Sequence, residues 1–490
     1  MYEISLIFSV LCFLGVCGAF ARSPAFSLFH PLTWYLTFHG FVFVMRPILA
    51  YVQSFDLIYK IYEFTPSIQD KSTAIYASSL GLISFAIGSL YRANKKLIFK
   101  NDDIFEIEKK RASAVFITVA MLLLPIAIYS INKSWNTAVT TGSAYSDMIQ
   151  VSRGGLMINN KSNGYLMDAQ LMLVPITAIF AWIFRFRLIA LIPLVLFAVF
   201  RSGTGGRGPV IAAFACAALL YLYDRRRYFP STPILTMVPL LLIAFTAVGD
   251  DRGAAIRRLL SNDASSAIFG PYRTNERMFE GMDFGNLEYL EYVIYVVPQR
   301  SGTYAYFNDL LQVFTEPVPR LLWKDKPIGA PFQRINFLDY GNNVGMTLSL
   351  PGEGWYSLGW AGVVIWCGAV GWATGSIYRR FVEGGQSIFA MIGYVVFLST
   401  LILGFRDGQL VSILRQSLFY MLPVVLWWAA TRLLGQPSAV ELRTGIRHRR
   451  YLLLQSQSAN SYAASTNSSN ALPAAVQRRR LALMRLRRDR

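Results

Sequence analysis

The sequence predicts an all-α, polytopic membrane protein with about eleven spans and one large segment outside the bilayer. Three observations carry this prediction. Of 490 residues, 54% are hydrophobic and only 15% are charged, against about 25% charged in soluble chains. Apolar stretches recur along the chain with short polar turns between them. Lys and Arg collect in every second turn, within a formal net charge of +19.

The stretches lie near 4–20, 31–52, 73–91, 112–131, 166–184, 188–200, 208–223, 232–249, 354–378, 386–404 and 411–431. A span needs about 20 apolar residues, so 188–200 and 208–223 must borrow from their flanks. The first stretch lacks the basic start and small-residue cleavage site of a signal peptide, and reads as a retained span. Arg92, Lys95, Lys96, Lys100, Arg185, Arg187, Arg225, Arg226, Arg227, Arg379 and Arg380 fall in alternate turns. By the positive-inside rule these turns and the C-terminus are cytoplasmic, and the N-terminus is outside. The organisation is then 1–249 with eight spans, 250–353 as a large outer loop, 354–432 with three spans, and 433–490 as a basic tail. The tail passes through QSQSANSYAASTNSSNA, whose composition reads as a linker, to RRRLALMRLRRDR, suited to an anionic leaflet.

Basic residues are scattered between apolar spans, which excludes a nucleic-acid partner. The four cysteines (Cys12, Cys17, Cys216, Cys367) and three histidines are dispersed. They form no disulfide framework and no metal-ligand spacing, so no metal or cofactor is implied.

Within the outer loop, LEYLEYVIYVVP (287–298) spaces Leu287, Leu290, Val293, Ile294 and Val297 as a helix, and reads as one lying in the outer interface. A second helix is expected at 303–314. The loop is rich in Arg, a planar fork matched to phosphate oxygens. Individual loop arginines also have carboxylates to pair with, among them Asp250, Asp251, Glu276 and Glu280.

Several residues stand out from that background. Arg46 sits inside an apolar span beside Pro47, where a charge implies a ligand, a specific partner or snorkelling to headgroups. Arg207 sits in RSGTGGRGPV (201–210), whose glycines suit either an anion-binding nest or a tight hairpin. Arg320 and Lys326 sit in the proline-rich PVPRLLWKDKPIGAP (317–331). Arg406 and Asp407 sit in GFRDGQL, read as a short outer turn. Arg415, deeper in the last span, reads as one half of an internal ion pair. For proton chemistry the candidates are Glu353, where the loop re-enters the membrane, and Asp407. A boundary carboxylate gains basicity by desolvation, and the competing reading for both is helix N-terminal capping.

PRLLWKDKP (319–327) and GEGWYSLGWAG (352–362), with the RGP and FRDG turns, resemble the PRxLWxxKP and GExxxxxxG patterns of bacterial oligosaccharide repeat-unit polymerases of the Wzy type. The likeness covers roughly 30–432. It implies a GT-C-like, metal-independent membrane glycosyltransferase of the bacterial inner membrane. Such an enzyme joins undecaprenyl-diphosphate-linked oligosaccharides at the periplasmic face, and a polysaccharide chain-length regulator is a candidate partner. On this resemblance Arg207, Arg320, Lys326 and Arg406 are diphosphate ligands, and Arg46 joins them as a candidate from its intramembrane position. Glu353 is the base with Asp407 as second candidate, and Trp323 and Tyr356 stack on sugars. A ligase moving glycan from undecaprenyl diphosphate to another acceptor is the runner-up. A flippase ranks third, because the spans are mostly charge-free and one outer loop is long.

Overall fold

The computed structural model describes the chain except residues 1, 101, 142–147, 151–156, 160–163, 232–255, 257–278, 282–283, 319–321, 324–333, 342–345, 385, 438–440 and 445–490. The chain divides into Met1–Gln436 and Pro437–Arg490. In the second unit, residues 441–444 form one helical turn.

The first unit is a helical bundle. It runs through α1 (Tyr2–Ala21), α2 (Pro31–His39), a π-helical segment (Gly40–Met45), α3 (Arg46–Gln53), α4 (Leu57–Tyr62), α5 (Ile68–Arg92) and α6 (Asp103–Thr141). There follow α7 (Gly164–Asp168), α8 (Leu173–Ile183), α9 (Leu188–Gly203), α10 (Gly208–Asp224), α11 (Asn286–Val296), α12 (Gln312–Thr315), α13 (Ser349–Glu383), α14 (Ile388–Asp407) and α15 (Leu410–Leu433). Among the described residues, eight helical stretches are long and apolar enough to cross a membrane, including α2 to α3 taken together. With 16 and 17 residues, α9 and α10 rise only about 24–26 Å, short of the ~30 Å hydrocarbon core. The expected span at 232–249 lies outside the described residues. Large apolar side chains such as Ile4, Leu11, Ile192, Ile365 and Val425 are exposed on the helix perimeters. A bilayer, and not water, suits that surface.

The fold is all-helical in class, with one short addition: Met148–Gln150 and Met157–Asn159 form an antiparallel pair, with Ile149 opposite Ile158. Two sequence expectations are corrected. α6, expected over 112–131, has 39 residues and so reaches about 58 Å, longer than the 40–45 Å of a bilayer with headgroups. The helix expected at 303–314 is only a 3₁₀ turn at Asn308–Leu311 running into α12.

α5 and α13 cross at backbone distance. A Cβ on Gly371 would lie 2.3 Å from the Phe85 carbonyl oxygen, and one on Gly375 2.6 Å from that of Ser89. On the facing helix, a Cβ on Gly88 would lie 2.3 Å from the Gly368 carbonyl oxygen. This small-residue seam is how helices associate where lipid removes the hydrophobic drive.

The basic turns share one end of the bundle. The Leu28 amide donates to the Tyr228 carbonyl, and the Tyr228 hydroxyl to the Leu97 carbonyl at 2.7 Å. The Lys100 amide and the Tyr223 hydroxyl both donate to Gln386 Oε1. The opposite end gathers the segments that carry the candidate site.

Candidate functional site

The site end is organised from Arg46 outward. Pro47 has no N–H, so in a regular helix the Phe43 carbonyl, four residues earlier, loses its donor. The chain widens into the π-helical turn before it, and the Ser9 hydroxyl of α1 donates to the Phe43 carbonyl at 3.3 Å. This brings Arg46 against α11. Its Nε donates to both Glu288 carboxylate oxygens at 2.8 Å. Its other nitrogens reach the carbonyls of Phe279 and Glu280. Arg46 is 1% exposed, so its guanidinium is spent on internal acceptors. It is a structural clamp, which corrects its reading as a diphosphate ligand and as a snorkelling side chain.

α11 is also not interfacial. Every residue from Asn286 to Val296 except Tyr295 is buried. Its apolar stripe faces the bundle, and its acids are buried because each meets a partner. The Tyr59 hydroxyl donates to Glu291 Oε2 at 2.6 Å, and Glu291 Oε1 has no partner among the described residues. Burial, then the neighbouring Glu288 carboxylate, pushes the Glu291 carboxyl up to about 8, against the pull of Lys71, the Tyr59 hydrogen bond and Arg46. Glu291 is therefore largely a neutral acid at neutral pH. Glu280, expected to pair with a loop arginine, accepts at Oε1 from the amides of Asp56 and Leu57 and so caps α4.

α13 is two helices, not one. Leu358 and Gly359 leave helical geometry, with Gly359 at φ +59°. In an unbroken helix Gly354 and Gly362 would stand about 12 Å apart. Instead, a Cβ on Gly362 would lie 2.0 Å from the Gly354 carbonyl oxygen. Residues 349–357 fold back on the spanning arm, and the Ala305 and Tyr306 amides donate to the carbonyls of Tyr356 and Ser357 at the end of the short arm. Glu353 sits on the short arm, 1% exposed. It lies beyond the first helical turn, which removes the N-terminal capping reading.

Arg406 and Asp407 are the last residues of α14 and not turn residues, and Gly408 follows in the left-handed conformation. Asp407 too is at a helix C-terminus, so capping an N-terminus does not explain it. Its Oδ2 accepts from Gln416 at 3.1 Å. A Cβ on Gly408 would lie 2.1 Å from the Ser349 carbonyl oxygen. The Arg406–Asp407 end of α14 therefore rests on the start of the arm that carries Glu353. Arg406 also acts on Tyr62, opposing the burial that raises that hydroxyl's pKa.

Arg207 joins from α10. It is the N-cap residue before Gly208 and Pro209. A Cβ on Gly208 would meet Leu403 at 2.6 Å, one turn before Arg406. The glycines here serve packing: Gly203 admits the Trp135 ring and Gly206 the Arg201 guanidinium. The amides of Thr204, Gly205 and Gly206 are bonded to carbonyls of α9. The hairpin reading holds, and the nest reading does not.

The remaining candidates divide. Arg320 and Lys326 lie outside the described residues. Trp323 is 40% exposed. Tyr356 is buried with its ring 5.4 Å from that of Phe337, which corrects its reading as a sugar contact. Arg415 pairs internally as expected, with Asp168 at 2.5 Å and with Glu316 at 3.7 Å.

Sequence reasoning passed over Glu288, Glu291, Asn286, Asp168 and Arg201. The LEYLEY repeat held the signal for the first two, acids one turn apart on an otherwise apolar helix. Comparison with models of protein families, with curated proteins and with solved structures finds no match to this chain.

Proposed function

We propose that this chain is a membrane glycosyltransferase that polymerises undecaprenyl-diphosphate-linked oligosaccharide units at the outer face of a bacterial inner membrane. One observation carries the reading: the Arg406–Asp407 end of α14 meets the start of the Glu353 arm, with the Arg207 turn beside it. Cationic forks and a buried carboxyl share one end of a membrane-embedded bundle. A lipid carrier presents its diphosphate at the membrane face, just beyond its isoprenoid chain.

In the proposed reaction, an acceptor hydroxyl attacks the anomeric carbon of the lipid-linked chain. The bond from that carbon to the diphosphate oxygen breaks, undecaprenyl diphosphate departs, and the hydroxyl proton passes to Glu353. Arg207 and Arg406, with Arg320 and Lys326 from the proline-rich stretch, hold the diphosphate and stabilise charge growing on it. Asp407 is the alternative base. Trp323 offers a face to a sugar ring. The N-terminus outside and the C-terminus in the cytoplasm complete the proposal, with the basic turns at the cytoplasmic end.

The test is polysaccharide length in cells carrying Arg207→Ala, Arg320→Ala, Arg406→Ala or Glu353→Gln at unchanged protein level. Loss of long chains is expected, reflecting a drop of about 100-fold or more per catalytic donor removed. Normal chain lengths in all four sink the reading. If the cell instead accumulates full-length lipid-linked chains, the protein is a ligase.

A further inference from the structure

A single side chain ties the two halves of the proposed site together. Asn286, the first residue of α11, is fully buried. Its amide nitrogen donates to the Arg406 carbonyl at 3.1 Å and to the Thr347 carbonyl and hydroxyl at 3.2 and 2.8 Å. Thr347 lies two residues before the arm that carries Glu353. The Arg406 carbonyl belongs to the final turn of α14, where the helix itself leaves carbonyls without amide partners.

We infer that Asn286 is a positioning residue, which fixes the spacing between the Arg406 and Glu353 segments and so the geometry of glycosyl transfer. Three features support this. The amide reaches both segments at once, whereas the Gly408 contact with Ser349 sets only their closest approach. α11 cannot shift to relax the tie, because Arg46 holds Glu288, Trp355 Nε1 donates to the Val297 carbonyl at 2.8 Å, and the Tyr292 hydroxyl donates to the Phe337 carbonyl at 3.1 Å. The Asn286 NH₂ group, with two hydrogens, is shared among three acceptors, two carbonyls and a hydroxyl, and a carboxylate in its place would be repelled by the carbonyls.

The inference rests on the glycosyltransferase reading, and the test separates the two. Asn286→Leu keeps the branched shape and removes the tie, and Asn286→Asp replaces the donors by a charge that repels both carbonyls. Each variant, in the full-length protein, is compared with Arg406→Ala and Glu353→Gln for polysaccharide length, for thermal stability in detergent, and for binding of undecaprenyl diphosphate itself. A misplacement near 1 Å costs on the order of 100-fold in rate. Both Asn286 variants are therefore expected to make only short products while binding undecaprenyl diphosphate within about threefold of the native protein. Arg406→Ala is expected to lose that binding, and Glu353→Gln to keep it. Native chain lengths from both Asn286 variants, with Arg406→Ala and Glu353→Gln inactive, overturn the positioning role alone. So does loss of diphosphate binding in step with a collapse in thermal stability, which marks a structural brace. Native chain lengths from Arg406→Ala and Glu353→Gln overturn the underlying reading, and this inference with it.

Discussion

Gly362 packs so tightly on Gly354 that a Cβ there would stand 2.0 Å from the Gly354 carbonyl oxygen. This crossing folds the Glu353 arm onto the spanning helix. Gly362→Ala must push the two backbones apart, and overpacking of this kind costs about 1–3 kcal/mol. A lowered thermal midpoint in detergent together with loss of function is expected. A native midpoint would show that the arm does not fold back.

Gly408 makes a comparable contact with Ser349 and adopts φ +73°, a conformation costly for any residue with a Cβ. Gly408→Ala is expected to destabilise the protein strongly. Gly393, on the same helix, has open space around it. Gly393→Ala is the control, expected to be neutral or stabilising by up to about 1 kcal/mol. Equal effects at the two positions would contradict the packing described.

The Arg46–Glu288 pair is buried at both ends. Removing one partner strands a charge, at about 3–5 kcal/mol, while replacing both by apolar residues is often tolerated. Arg46→Met alone and Glu288→Leu alone should each lower the thermal midpoint markedly, and the double variant should recover most of the loss. Additive losses would mean that the two residues act separately.

Glu291 makes stability depend on pH. Its folded pKa of about 8 stands above the ordinary 4.5. The folded state therefore holds a proton that the unfolded chain has released. The stabilisation is complete below about pH 4.5 and disappears as pH rises through about 8. Between pH 5 and 8 the thermal midpoint should fall, and Glu291→Gln should flatten that part of the profile. An identical slope in the variant would assign the dependence to other groups.

The spans were legible because hydropathy is a local property: α5, α14 and α15 lie where their apolar runs are. α11 was misread for the same reason. Its Leu and Val stripe is local, but what buries Glu288 and Glu291 is Arg46 and Tyr59, more than 220 residues away. Arg406 and Asp407 stand out in the sequence, but GFRDGQL reads as a turn because nothing local shows that the helix runs through Arg-Asp to the Gly408 cap. The fold-back at Leu358–Gly359 has no period to announce it, and its glycines read equally well as a smooth helix interface. The strand pair near 148–159 has three residues per strand, too few to show alternation.

The distance along the chain between Arg46 and Glu288 also matters for biogenesis. During synthesis at about 5–20 residues per second, Glu288, 242 positions after Arg46, follows it by roughly 10–50 seconds. Throughout that interval the second span sits in the membrane with a cation whose partner does not yet exist. Its final seating therefore waits for α11 to be made, and maturation of the N-terminal spans is gated by a segment made in the second half of translation.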